Sequence, residues 1–205
     1  MRRKKNLAIR KSSQQQRSQF TVDAIVEATT KLLEKSGVEK TTTNRISDLA
    51  GVSVGSFYQY FPNKEALIAR IIEKEINTQA DKLEKLILTH KDENISQLTK
   101  ILIEYIADQF YRRHRIAAVL IGQLNQLERV PVQVKARGRL VKLLADLFRE
   151  RRPELALDDP DIAAYIVVHG VMGVFYMASV DGSLKNNHQK LKSYLQLLVS
   201  KFLKA

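Results

Sequence analysis

Cysteine is absent from this chain of 205 residues, which excludes both a disulfide framework and a thiolate metal site. Histidine is scarce: His90, His114, His169 and His188 lie far apart and form no i,i+4 ligand pair. The glycine patterns that cradle phosphates are missing, with neither a P-loop nor a G-x-G-x-x-G run. No region alternates as a strand does, so no sheet is expected. No cofactor, no metal and no enzymatic activity are expected. Acidic residues are missing from residues 1–22, where seven basic ones stand: Arg2, Arg3, Lys4, Lys5, Arg10, Lys11 and Arg17. That segment carries seven of the twelve net positive charges and leaves +5 for the remainder. No apolar stretch follows this basic start, as a secretory signal requires, so a reducing cytoplasm is the expected location.

What the chain does contain is most specific between Thr42 and Leu67, TTNRISDLAGVSVGSFYQYFPNKEAL. The spacing predicts a short helix, a tight turn, a second short helix and the start of a third. Thr43 is a good N-cap, because its hydroxyl accepts from an amide of the first turn. Ile46, Leu49 and Ala50 recur at helical spacing and are expected to face inward. Gly51 supplies the left-handed conformation that ends a helix, and Ser53 can cap the next one. Phe57 and Phe61, four apart, are expected to face inward, while Ser56, Gln59 and Tyr60 face out. Pro62 stops this helix, Asn63 caps the third, and Glu65 puts a negative charge in its first turn.

The exposed face of the second helix is therefore small at its start and aromatic at its end. Val54, Gly55 and Ser56 leave little bulk between backbone and an approaching surface, which suits entry into a major groove by the N-terminal end. Tyr58, Tyr60 and Lys64 follow as donors suited to phosphate oxygens. The plainer alternative is a helical hairpin with a solvated polar face. Gly51-Val52-Ser53-Val54-Gly55 also matches the G-x-S-x-G pattern of a hydrolase nucleophile elbow. That chemistry needs a strand before the serine, and here a half-polar helix precedes it.

These residues resemble the tetracycline-repressor (TetR) family of bacterial transcription regulators. The resemblance covers about a quarter of the chain. It is carried by the helix Val22 to Ser36 ending at Gly37, then Thr42-Thr43, Ile46, Ala50-Gly51-Val52-Ser53, Gly55, Phe57-Tyr58, Tyr60-Phe61, Lys64-Glu65 and Leu67. It implies that Thr43, Asn44, Val54 to Ser56, Gln59 and Tyr60 approach bases or backbone, and that Tyr58 and Lys64 contact phosphates. With Arg45 and Ser53 added, the expected DNA-binding set is Thr43, Asn44, Arg45, Ser53, Val54, Gly55, Ser56, Tyr58, Gln59, Tyr60 and Lys64. The resemblance also implies an all-helical regulatory domain, a homodimer and a small-molecule effector. Ser47 departs from the pattern, since alanine is usual there.

The expected organisation is a basic flexible arm over 1–19, a DNA-binding domain over 20–66 with its helix-turn-helix at about 42–61, and an effector-binding and dimerisation domain over 67–205. The arm, rich in Ser and Gln as well as base, reads as disordered chain lying along DNA or as a solubilising tail. Periodicity predicts further helices at about 64–90, 94–110, 115–128, 131–152, 160–180 and 187–203. The fold class is thus all-α, with about nine helices. Ile162 to Val180 contains no charge. Its length alone would admit a membrane span, but a lone, late helix interrupted by His169, Gly170 and Gly173 reads as one buried between its own domain and a second subunit. Leu191, Tyr194, Leu195, Leu198 and Phe202 are expected to complete that interface.

Polar and aromatic residues among the apolar ones mark candidate ligand contacts: Tyr105, Gln109, Gln123, Gln126, Tyr165, His169, Met172 and Tyr176. Each taken alone reads equally as core or interface. The segment Arg112 to Arg152 holds eleven basic residues and three acids. It reads as a solvated face before it reads as a site for an anionic effector. The functional expectation is a DNA-binding regulator, a repressor released from a palindromic operator by a small molecule. The alternative is a helical protein-interaction or membrane-surface module that uses its basic segment.

Overall fold

A computed structural model describes residues 9–151, 155, 157–181 and 187–204, and all of its regular structure is helical. The helices are α1 (Ile9–Ser36), α2 (Thr43–Ala50), α3 (Val54–Tyr60), α4 (Lys64–Thr89), α5 (Ile95–Gly122), α6 (Val130–Glu150), α7 (Pro160–Asp181) and α8 (His188–Lys204). Helix α5 is broken at Arg113, whose backbone leaves the helical region (φ −119°, ψ 17°). Nine helical segments therefore make up the described fold. The chain divides into two units between Ile71 and Ile72, five residues beyond the expected boundary.

In the first unit α1 packs on α2 and α2 on α3. Ile25, Ala28, Leu32 and Leu33 of α1 are buried, as are Ile46, Phe57, Phe61, Leu67 and Ile68. Burying each large side chain is worth roughly 1.5–3 kcal/mol. The α1–α2 connection is fixed by polar contacts. Gly37 takes φ +74° and donates to the Leu33 carbonyl, while the buried Thr41 hydroxyl donates to the Gly37 carbonyl at 2.7 Å. Helix α1 starts at Ile9, so residues 9–19 are helix and not the flexible arm that their composition suggested. The remainder of that expectation, residues 1–8, lies outside the described residues.

In the second unit α6 packs on α7, and α5 packs on both α7 and α8. The core joins Leu83 and Ile87 of α4, Leu98 and Ile103 of α5, Leu140, Leu144 and Phe148 of α6, Val168, Val171 and Phe175 of α7, and Leu195, Val199 and Leu203 of α8. Phe110 and Phe175 meet with ring centroids 5.2 Å apart. Two helix starts are capped by side chains: Asn94 accepts from the Gln97 amide at 2.9 Å, and Asp159 from the Asp161 and Ile162 amides. The helix expected over 115–128 ends at Gly122, followed by turns that carry Glu128 at φ +53°.

Helix α7 passes the length and composition test for a membrane span over Pro160–Ala178. One of its faces is core: Ala163, Ala164, Val168, Val171, Phe175 and Ala178 are buried. The other face leaves Ile162, Tyr165, Ile166 and Met177 exposed. The last helix is divided in the same way. Leu195 is buried, and Leu191 and Phe202 pack on the core, against the expectation that they face a second subunit. Tyr194, Leu197 and Leu198 remain exposed. The stop expected at Gly182 lies outside the described residues.

Candidate nucleic-acid interface and effector cavity

The helix-turn-helix is built from α2, a turn and α3. Thr42, and not Thr43, is the N-cap of α2: its side chain accepts from the Arg45 amide at 3.3 Å. Adjacent threonines offer two equivalent caps to a sequence reading, and the fold selects the first. Gly51 ends α2 at φ +68° and its N–H points back to the Asp48 carbonyl. Ser53 caps α3, its hydroxyl accepting from the Ser56 amide at 3.0 Å and lying 2.8 Å from the Ser56 hydroxyl. Phe57 and Phe61 face inward as expected, 5.9 Å apart.

One inward assignment fails. Leu49 is 52% exposed, and the residue buried beside Ile46 is Ser47. Ile46 and Ser47, and not Leu49, form the inner side of α2, which packs on α1, so a polar residue occupies the interior. The Ser47 hydroxyl has no hydrogen-bond partner among the described residues.

The outer face of this unit gathers most of the DNA-binding candidates. Asn44, Arg45, Ser53, Val54, Gly55, Tyr58 and Gln59 are exposed, while Thr43, Ser56, Tyr60 and Lys64 are half-buried. Tyr58 stands edge-on to Phe57, with ring centroids 5.4 Å apart. Arg45 donates to the Lys40 carbonyl. Lys64 donates to the Val38 carbonyl at 3.1 Å and lies 3.9 Å from the Glu65 carboxylate. Asn63 accepts from the Ala66 amide at 2.7 Å, capping α4 beside this lysine. Lys64 is thus held at the α4 start by the α1–α2 connection.

Gly55 has no internal reason to be glycine. Its φ is not in the left-handed range, and a Cβ built there would meet only the Ser53 Oγ at 3.7 Å, an ordinary contact. Glycine in the middle of a helix costs about 0.5–1 kcal/mol relative to alanine, and Gly55, the second residue of α3, bears at most that cost. The protein's own packing gives nothing in return at this site.

The second unit contains a cavity of about 250 Å³ between α4, α5, α6 and α7. Four of the eight candidate ligand contacts line it: Tyr105, Gln109, Met172 and Tyr176. The other four do not. Gln123 and Gln126 fall at and beyond the end of α5. Tyr165 and His169 stack on each other at 4.1 Å on α7, with the His169 Nδ1 3.0 Å from the Tyr165 carbonyl oxygen. The cavity adds residues that the sequence reading missed: Glu75 and Gln79 from α4, Arg113 from the α5 kink, and Gln133 and Arg137 from α6. Their signal was present. Glu75 and Gln79 interrupt the apolar stripe Ile72, Ile76, Ala80, Leu83, and Gln133 and Arg137 interrupt the stripe of Ala136 and Leu140.

Most of these polar groups satisfy one another. The Tyr105 hydroxyl donates to Gln79 Oε1 at 3.2 Å, Gln79 donates to Glu75 Oε1 at 2.8 Å, and Arg113 forms an ion pair with that carboxylate. Burial first, and then the Glu75 charge, raise the Tyr105 phenol above its ordinary value. The Arg137 guanidinium is pushed below its ordinary value by burial alone.

Comparison with known proteins agrees with both units. The family model "Bacterial regulatory proteins, tetR family" matches residues 25–71, and "Tetracyclin repressor-like, C-terminal domain" matches residues 95–203, more than half of the chain. A nucleoid occlusion factor SlmA from Glaesserella parasuis is 23% identical over 197 residues, spanning 92% of this chain and 93% of that protein. A TetR-family transcriptional regulator from Mesorhizobium loti shares the fold with a TM-score of 0.68 at 22% identity, covering 91% of this chain and 96% of that one. The SmeT repressor of the Stenotrophomonas maltophilia multidrug efflux pump SmeDEF superposes with a TM-score of 0.67 at 23% identity, over 91% and 92% of the two chains. The two matched domains, in the order and with the helices expected of them, show that this chain belongs to the TetR family of DNA-binding transcriptional regulators.

Proposed function

We propose that the protein is a cytoplasmic, homodimeric repressor that leaves a palindromic operator when a small molecule fills the cavity of its second unit. The observation that carries the DNA-reading part is Gly55. Its helical cost is unexplained by internal packing and is explained by close approach of the α3 backbone to base edges. Asn44 and the α3 face from Val54 to Gln59 set sequence choice in this reading. Tyr58, Tyr60 and Lys64 hold the phosphates, and the caps at Thr42, Ser53 and Asn63 fix where those groups stand.

A single short helix reads few bases. Two copies held about one turn of DNA apart, roughly 34 Å, read a palindrome and combine their energies. The apolar faces left exposed on α7 and α8 support pairing through these helices, because scattered surface apolar residues are ordinary but two such faces on a core helix pair are not. Helix α4 is continuous from the Asn63 cap to Thr89, and its residues from Ile72 to Leu83 line the cavity. A ligand that changes α4 therefore acts on the helix that leaves the DNA-binding unit. Coupling of this kind is typically worth about 1–3 kcal/mol.

Selection of bound sequences from random duplexes tests the reading. A palindrome with half-sites about one helical turn apart is the expected product. Weak, salt-labile binding without sequence enrichment would instead support the protein-interaction or membrane-surface alternative.

A further inference from the structure

We propose that the cavity between α4, α5 and α6 takes a compact anionic amphiphile, one carboxylate on an apolar body, with Arg137 as the group that holds the anion. The inference rests on the ligand-responsive reading above and names the ligand class for that site.

The charge inside the cavity is unbalanced. Of its three charged groups, Glu75 and Arg113 neutralise each other. Arg137 has no ion pair or hydrogen bond among the described residues, although it is partly buried. Its neighbour on α6, Arg139, shows the contrast: it is held by Asp81 at 2.8 Å and Glu84 at 3.1 Å. A guanidinium stays protonated in proteins, so burial cannot be relieved by losing the charge. The part of the desolvation cost that this half-buried group bears is offset when an anion arrives. A carboxylate matches the guanidinium fork with two parallel hydrogen bonds. A neutral alcohol leaves the charge uncompensated, and a cation meets a like charge.

Beyond these charges and the polar groups of Gln79, Tyr105, Gln109, Gln133 and Tyr176, the walls are apolar and include Ile76, Leu120, Leu124 and Phe175. A second, smaller cavity of about 60 Å³ shares Leu83, Ile106, Leu140 and Met172 with the first, and Thr99 is the single polar residue lining it. This extends the apolar surface available to a tail. The main volume of about 250 Å³ lies just below the usual range of ligand pockets, about 300–1,000 Å³. A compact carboxylate fits that size, whereas a bulky conjugate does not.

The test uses the full-length protein with decanoate, decanol and decyltrimethylammonium as probes, each titrated calorimetrically. Decanoate is expected to bind at least tenfold more tightly than decanol, and the ammonium compound is expected not to bind. Arg137→Gln should bring decanoate down to the level of decanol and leave decanol unchanged, which also shows the variant is folded. Arg137→Lys, which keeps the charge but loses the fork, should retain part of the preference. No binding of decanoate, equal binding of decanol, or an undiminished preference in Arg137→Gln would each overturn the proposal. Fluorescence anisotropy on the selected duplex separates the two readings. If decanoate binds as stated but never releases DNA, the site stands and the release mechanism falls. If a different compound releases DNA while decanoate fails to bind, the release mechanism stands and the anion site falls.

Discussion

At the scale of single residues, Ser47 shows how a departure from a family pattern becomes physical. Its hydroxyl is buried on the inner face of α2, without a hydrogen-bond partner among the described residues. An unsatisfied buried hydroxyl costs roughly 1–3 kcal/mol, and alanine is also the better helix former. Ser47→Ala should therefore stabilise the DNA-binding unit by about 1 kcal/mol or more. Slower hydrogen exchange at the α2 amides would report this; unchanged exchange would mean the hydroxyl is satisfied in solution. The contrary case is Gly51, where φ +68° with open space around the Cβ position makes the conformation the whole cost of a side chain. Gly51→Ala should destabilise the same unit by about 1 kcal/mol, seen as faster exchange in α2 and α3. Both residues could be picked out from sequence. What could not be read was the inward direction of Ser47, because an eight-residue helix has too few apolar positions to fix which side meets α1, and Leu49 is the one left exposed.

At the scale of elements, the helices were legible where periodicity and punctuation agree. Gly51, Ser53, Asn63, Asn94 and Asp159 act as stops or caps where expected. The break in α5 was expected as a gap between two helices and is instead a single non-helical residue, Arg113. No glycine or proline marks it, yet it falls inside the gap expected between residues 110 and 115. The arm was misread. A Ser- and Gln-rich basic segment lacks an apolar face, yet residues 9–19 extend α1. The lateral faces of α7 and α8 were only half legible, because an uncharged helix does not say which side meets its own core. The structure sorts them: Tyr194 and Leu198 are 71% and 63% exposed, while Leu195 is buried. Ile166→Glu combined with Leu198→Glu should give a monomer in sedimentation at micromolar concentration, with the fold retained and operator affinity lost. A dimer that survives both charges would place the interface elsewhere.

At the scale of the whole molecule, the outer face of α3 and four of the residues that line the cavity could be picked out from the sequence, but the cavity's charge balance could not. That balance arises where three helices distant in sequence bring Glu75, Arg113 and Arg137 to one space. The basic segment from Arg112 to Arg152 looked like solvated surface; Arg112, Arg115, Lys135, Arg139, Lys142 and Arg149 are exposed, yet Arg113 and Arg137 line the cavity. The central claim is that this fold gives up internal stability at α3 so that its backbone can approach DNA. The most direct measurement combines unfolding and operator affinity for Gly55→Ala and Gly55→Leu in the full-length protein. Gly55→Ala should raise stability by at most about 1 kcal/mol, and Gly55→Leu should fold at least as stably as the parent yet bind the selected palindrome at least tenfold more weakly. Undiminished binding by a folded Gly55→Leu protein would contradict the account.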